Sequence, residues 1–496
     1  MNYMSTRNKE QKVTASFAIK EGLSKEGGLF VPENFPTLTN EDYEYLKNVD
    51  YKKRAAYILK MFLEEFSLSE LEQFSEKAYG NEKFPEAVTP IHEYDEKTHY
   101  LELWHGPTCA FKDMALQMLP HLLISSANKT GDNRIVTILV ATSGDTGKAA
   151  LDGFSDVEGS KIIVFYPKDG VSEIQKLQMI TQKGNNVFVS GINGNFDDAQ
   201  SGVKAIFTDK EFNSLLNENG VVLSSANSIN WGRLAPQIVY YISSYIDLVN
   251  NKKINMGDKI NVCVPTGNFG NILAAYYAKK MGLPVNKLIC ASNSNNILTD
   301  FLSTGVYDRN RKFILTMSPS MDILISSNLE RYLFDVSGED DEYLSKIMSD
   351  LAKEGKYEVT DELKKIIKED FFADFASEEE TAEMIKEAFC EKGYLMDTHT
   401  AVAGKVIEKY RNKTNDDTVT IVASTASPYK FNSSVLNALG EETNDKDEFE
   451  QLDALNKKSG LEIPESLSSL KNTKPRFTTF CEKESQKDVI LEFLSK

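Results

Sequence analysis

Short apolar runs, broken by glycine and followed by helical spacing, recur along most of this sequence. No other feature limits its fold as much. Residues 135–141 form one such run, followed by Thr142-Ser143-Gly144-Asp145-Thr146-Gly147 and a helix from Lys148. Residues 260–264 form another, followed by Pro265-Thr266-Gly267-Asn268-Phe269-Gly270-Asn271 and a helix. Residues 161–166, 187–190, 287–291 and 418–423 complete the set. Strands alternating with helices predict an α/β fold with parallel sheets covered by helices. Such sheets bind ligands at the C-terminal ends of their strands, where the loops after Ala141, Val264 and Ala423 lie.

A chain of 496 residues is long enough for several domains. Shifts in texture divide it. Residues 1–95 read as a mostly helical N-terminal domain with a short strand near Phe30. Residues 96–130 and 228–440 read as a large α/β domain with a helical insertion at about 300–395. Residues 131–227 read as a smaller α/β domain, and 441–496 as a polar tail wrapping the surface. A net charge of −18 argues against nucleic acid and anionic membrane as partners. An anionic small molecule would have to be met by local cations and backbone amides. The five cysteines are scattered, with no C-x-x-C pair. They predict reduced thiols in a cytoplasmic protein and neither a zinc site nor a disulfide framework. No window reaches the ~18 apolar residues of a membrane span, and the first residues lack the apolar core of a signal peptide.

One lysine stands out. Lys112 follows a Gly106-Pro107 turn, sits between Phe111 and Asp113, and opens an apolar run containing Met114, Leu116, Met118 and Leu119. At a helix start the dipole disfavours an ammonium, and partial burial pushes the same way. Both favour the neutral, nucleophilic amine of a Schiff-base lysine; the alternative is a surface lysine in a first turn. In Gly267-Asn268-Phe269-Gly270-Asn271 the glycines let backbone amides approach an anion ahead of a helix N-terminus. The same spacing also serves a plain strand-to-helix turn. Thr142, Ser143, Asp145 and Thr146 offer hydroxyls and amides that suit a carboxylate. A nucleotide P-loop fails there, because glycine is absent at 142 and Ala149 follows Lys148. Asn227, Ser228 and Arg233 put donors for a phosphate within one short loop, though taken alone the loop reads more readily as a solvated or salt-bridged arginine. The Ser424-Thr425-Ala426-Ser427-Pro428-Tyr429-Lys430-Phe431 segment after the last strand offers a hydroxyl to a ring nitrogen, or an ordinary helix cap. His399 reads as structural. With five unclustered histidines, neither a metal site nor a Ser-His-Asp triad is expected.

Taken together, these segments resemble threonine synthases, pyridoxal-phosphate enzymes of the tryptophan-synthase-β-like fold, in the branch with a long N-terminal domain. The likeness includes Ser5-Thr6-Arg7, residues 105–117, 142–147 and 267–271, Ser318-Pro319-Ser320-Met321-Asp322-Ile323, Asn328-Leu329-Glu330-Arg331 and residues 397–402. It implies two parallel-sheet α/β domains with pyridoxal 5'-phosphate between them. Lys112 would be the Schiff-base and catalytic lysine, Gly267, Asn268, Phe269, Gly270 and Asn271 would hold the cofactor phosphate, and Thr425 would meet the pyridine nitrogen. Thr142, Ser143, Asp145 and Thr146 would surround the substrate carboxylate, and Asn227, Ser228 and Arg233 the substrate phosphate. The implied reaction converts O-phospho-L-homoserine and water to L-threonine and phosphate. A sibling lyase would instead release 2-oxobutyrate, and a third reading is a non-catalytic phosphate-binding relative. The implied assembly is a monomer or homodimer. The family often has His, Pro and Gly where this chain has Ser427, Thr398 and Ala403.

Overall fold

The computed structural model describes every residue except Ser143, Asp169 and Lys496. Two parallel sheets carry the molecule. The larger has six strands in the order Phe371–Phe375, Val285–Ser292, Ile260–Pro265, Thr420–Ser424, Thr98–Glu102 and Ile91–Asp95. The first five run parallel and Ile91–Asp95 returns antiparallel. The smaller has five strands, all parallel, in the order Phe480–Cys481, Val187–Ile192, Ser160–Pro167, Ile135–Ala141 and Val221–Ser224. Their central strands are buried on both faces, which is why they read as unbroken apolar runs.

The helix Trp231–Asn250 leads from the smaller sheet back to the larger and is buried over most of its length. The N-terminal region packs on it. Arg54, nearly buried, donates to the Ser243 hydroxyl at 2.8 Å and to Asp247 at 2.6 Å. This region is mainly helical, as expected, but it opens with an antiparallel three-stranded sheet of Asn8–Thr14, Asn2–Ser5 and Phe30–Pro32. Its first strands carry almost no apolar alternation, which leaves no strand signal to read there.

Two further segments differ from their expected description. The insertion at 300–395 is not wholly helical. Its Phe371–Phe375 strand is the outer parallel strand of the larger sheet, and Val306–Asp308 pairs with Lys356–Glu358. The tail does more than wrap. Leu452, Leu455, Leu467 and Leu470 join the core beside the larger sheet. The strand Phe480–Cys481 then extends the smaller sheet, and Val489, Ile490 and Phe493 pack beneath it. Gly191 allows this close approach: a Cβ there would lie 2.3 Å from the Phe480 ring. Among the described residues no helix is long and apolar enough to cross a membrane.

Candidate active site

Lys112 occupies the N-cap of the short helix Asp113–Leu116. The chain before it is fixed from two sides. The buried Asp113 carboxylate accepts from the Thr108 amide at 2.8 Å and the Thr108 hydroxyl at 2.6 Å, closing the Gly106-Pro107 turn. Burial raises the Asp113 pKa to about 7, against the pull of those hydrogen bonds. Residues 109–111 run antiparallel to the segment after the last large-sheet strand. Phe111 N donates to Thr425 O at 2.8 Å, and Ser427 N to Cys109 O at 3.0 Å. Lys112 and Thr425 therefore lie on adjoining segments. Cys109 takes a φ of 59°, a strained value for a residue with a Cβ.

The Lys112 side chain is about 10 % exposed, and its Nζ lies 3.8 Å from Asp145. It donates to the Ser320 hydroxyl at 3.3 Å and sits 5.0 Å from the centre of the Phe111 ring. Burial lowers its pKa. Asp145 opposes this, and the Arg233 and Lys430 charges reinforce it. Asp145 lies in the first turn of the helix Asp145–Phe154, beside the smaller sheet. Lys430, whose side chain is fully buried, reaches it at 2.6 Å and also donates to Thr108 O at 3.0 Å and Gln178 Oε1 at 3.3 Å. Burial alone would raise the Asp145 pKa, but Lys430 and Lys112 hold it well below the usual carboxylate range. Two lysines thus converge on one carboxylate, and the Arg233 charge acts on Lys112 from further off.

The Gly267–Asn271 stretch enters the helix Gly270–Lys280 through Phe269, which has a left-handed φ of 62°. A Cβ on Gly267 would meet the Ser320 carbonyl at 2.7 Å, so only glycine fits there. Ser326 Oγ donates to Gly267 O at 2.8 Å. Asn328 donates to Asn268 O from its amide and from its side chain, both at 3.1 Å. Asn271 Oδ1 accepts from the hydroxyls of Tyr240 and Tyr241 at 2.6 and 2.5 Å, while its Nδ2 is buried with no partner among the described residues. One donor of the loop is left for a ligand.

The remaining sequence-predicted residues fall into two groups. Arg233 is buried and pairs with no carboxylate among the described residues. Its Nη1 donates to Ala226 O at 2.6 Å, and burial brings its pKa down to about 10, so it stays charged at neutral pH. Asn227 is exposed and its Oδ1 turns back to accept from Ser228 and Ile229. Thr142 is buried, and its hydroxyl accepts from the Gly144 amide at 3.1 Å and the Gly147 amide at 3.2 Å. It holds the loop's own backbone. Thr146 is half-buried, and Ser143 lies outside the described residues.

Sequence reasoning missed Lys430 and Ser320 as members of this cluster. A lysine in an otherwise apolar Pro428-Tyr429-Lys430-Phe431 stretch at a strand's C-terminal end was the available signal for the first. His399, read as structural, lies one step further out, its Nε2 accepting from the Ser320 amide at 3.2 Å.

Comparison with known proteins identifies the family of the chain. Residues 84–425 match the family "Pyridoxal-phosphate dependent enzyme", residues 2–79 "Threonine synthase N terminus" and residues 400–490 "Threonine synthase, C-terminal". The chain is 42% identical over 443 residues to "Threonine synthase-like 1" of Homo sapiens, covering 87% of this chain and 59% of that protein. It therefore spans about three-fifths of that relative's length. It is 39% identical over 495 residues to the threonine synthase of Saccharomyces cerevisiae, covering 92% of this chain and 94% of that one. Among solved structures, yeast threonine synthase superposes with a TM-score of 0.89 at 36% identity, covering 100% of this chain and 99% of that one. The pyridoxal-phosphate-bound threonine synthase of Brucella melitensis gives 0.88 at 35% identity, covering 100% and 98%.

Proposed function

The chain belongs to the pyridoxal-phosphate-dependent threonine synthase family, and on that premise we propose that it converts O-phospho-L-homoserine and water to L-threonine and phosphate. The observation that carries the proposal is Lys112: a buried amine of lowered pKa, set among Arg233, Lys430 and Asp145, beside a glycine loop with an unpaired buried donor.

The residues fit pyridoxal phosphate. The orphaned Asn271 Nδ2 and the amides opening the helix Gly270–Lys280 suit its phosphate, and the close packing at Gly267 keeps that loop flush. Lys112 would hold its aldehyde carbon, Gly267, Asn268, Phe269, Gly270 and Asn271 its phosphate, and Thr425 its ring nitrogen. When bound, the cofactor supplies an electron sink that acidifies the carbon bearing the substrate amine.

The rest is work for the protein. Lys112 Nζ is placed to take the proton from that carbon as general base, and burial, which lowers its pKa, favours the neutral amine that this role needs. A neutral hydroxyl at Thr425 would hold the ring nitrogen without protonating it, which would favour elimination and replacement over transamination. Arg233, with Asn227 and Ser228, holds the substrate phosphate and stabilises its departure. The 142–147 loop, including Asp145 and Thr146, faces the substrate carboxylate with its amides, shaped by Thr142. Residues 131–227 form the substrate-side unit, and residues 96–130 with 228–440 the cofactor-side unit. The five free cysteines support a reducing, cytoplasmic setting, and the working form is a monomer or homodimer.

The test is product analysis after incubating the purified protein with pyridoxal phosphate and O-phospho-L-homoserine. Phosphate and threonine in equal amounts are expected. Phosphate with 2-oxobutyrate would reassign the chain as a phospho-lyase, and no phosphate release would overturn the reading.

A further inference from the structure

Asp397 is fully buried and caps the helix Thr398–Thr414, accepting from the His399 and Thr400 amides at 2.9 and 3.2 Å. A helix cap needs only one acceptor oxygen. Here both oxygens are also engaged by side chains, and each leads to a different part of the candidate site.

The first path runs through Oδ2, 2.8 Å from His399 Nδ1. His399 Nε2 accepts the Ser320 amide hydrogen at 3.2 Å. A ring nitrogen that accepts an amide hydrogen carries no proton, so the ring proton sits on Nδ1 and points at Asp397. Ser320 is thereby held by its backbone with its hydroxyl toward Lys112 Nζ, 3.3 Å away. The Phe431 ring, 4.7 Å centre to centre, packs against the imidazole. The second path runs through Oδ1, which accepts the Thr400 hydroxyl. That leaves the Thr400 oxygen free to accept the Thr425 amide at 3.3 Å.

We infer that Asp397 is a positioning residue for the candidate site, setting the seat of the Lys112 amine through His399 and Ser320 and the seat of Thr425 through Thr400. The inference rests on the proposed function for what Lys112 and Thr425 do, but the geometry it invokes belongs to the chain alone. An asparagine at 397 still caps the helix, since Asn and Asp are equally good caps. It has only one acceptor oxygen, however, and cannot serve both paths.

Two readouts follow the two paths. The first is the rate at which a trace amount of acetic anhydride labels Lys112 in the cofactor-free full chain, measured by mass spectrometry at neutral pH. Ser320→Ala removes an acceptor that favours the ammonium, so labelling rises about threefold. Ser320→Thr restores the parental rate, and His399→Gln behaves like Ser320→Ala. The second readout is the visible spectrum of the chain loaded with pyridoxal phosphate. Thr400→Val changes it and leaves Lys112 labelling at the parental rate. Asp397→Asn moves at least one of the two signals, with the melting temperature within a few degrees of the parent. Parental labelling and spectrum in a folded Asp397→Asn chain would overturn the inference, as would parental labelling in Ser320→Ala. Labelling does not depend on the reaction product, so failure of the threonine synthase reading would leave it standing. Should Asp397→Asn not fold, the single-path variants decide.

Discussion

The 142–147 and 267–271 loops share one pattern, a buried strand, a glycine turn and a helix start, yet they are held in opposite ways. The 267–271 loop is clamped by its own side of the molecule. Ser326, Asn328 and the Ser320 carbonyl fix its backbone, and Tyr240 and Tyr241 fix Asn271. The 142–147 loop is braced by the Thr142 hydroxyl, and among the described residues Asp145 ties it to the other sheet's side through ion pairs with Lys430 and Lys112. A loop that binds a permanent group gains from rigidity. A loop that admits a substrate and releases a product must be attached by contacts that can be made and broken. The shared pattern therefore identifies a ligand-facing end but not the division of labour.

Several substitutions would break or sharpen this contrast. Lys112→Ala removes the proposed Schiff-base amine, and should abolish turnover and the visible absorbance of the loaded protein; near-normal turnover would refute its assignment. Lys430→Met strands Asp145 as a buried, half-compensated carboxylate, at a cost of about 3–5 kcal/mol, measurable by denaturant unfolding. The pH response separates the two proteins. In the parent, the depressed Asp145 pKa contributes stability above the unfolded value of about 3.9, lost only as pH falls through the lower folded value. In the variant, burial raises that pKa, so its deficit should shrink on acidification.

Gly267→Ala pushes a methyl onto the Ser320 carbonyl and should weaken cofactor affinity about thirtyfold, read by spectral titration, with folding largely intact. Arg233→Ala should raise KM for the phosphorylated substrate roughly tenfold; an unchanged KM would remove Arg233 from the phosphate site. The smallest effect belongs to Thr142→Val, which orphans two loop amides and costs about 1–2 kcal/mol. Its signature should be confined to the substrate side, with cofactor affinity at the parental value.

Most of the sheet architecture was legible because a strand buried on both faces writes itself as an apolar run. Illegible strands had another reason to exist. Asn8–Thr14 alternates only weakly, Phe371–Phe375 sits among charged helices, and Phe480–Cys481 is too short to carry a pattern. Within the site, Lys112 and the glycine loops announced themselves by local composition. Lys430, Ser320 and His399 did not, because each acts through a partner far off in sequence: Lys430 through Asp145, 285 residues away, Ser320 through Lys112, 208 away, and His399 through Ser320, 79 away. Thr142 shows the converse. Its hydroxyl looked like a ligand group and is used by its own backbone.

The pairing of Phe480–Cys481 with Val187–Ile192 bears on how the protein is made. Until residues 480–481 have left the ribosome, the outer strand of the smaller sheet has an uncovered hydrogen-bonding edge, a template for pairing with other chains. More than 280 residues separate the two strands, so this edge stays open through much of synthesis, when partly folded chains are most prone to aggregate. A chain stalled or cut before residue 480 would thus fail by clumping at one sheet edge, even with every residue of the candidate site already in place.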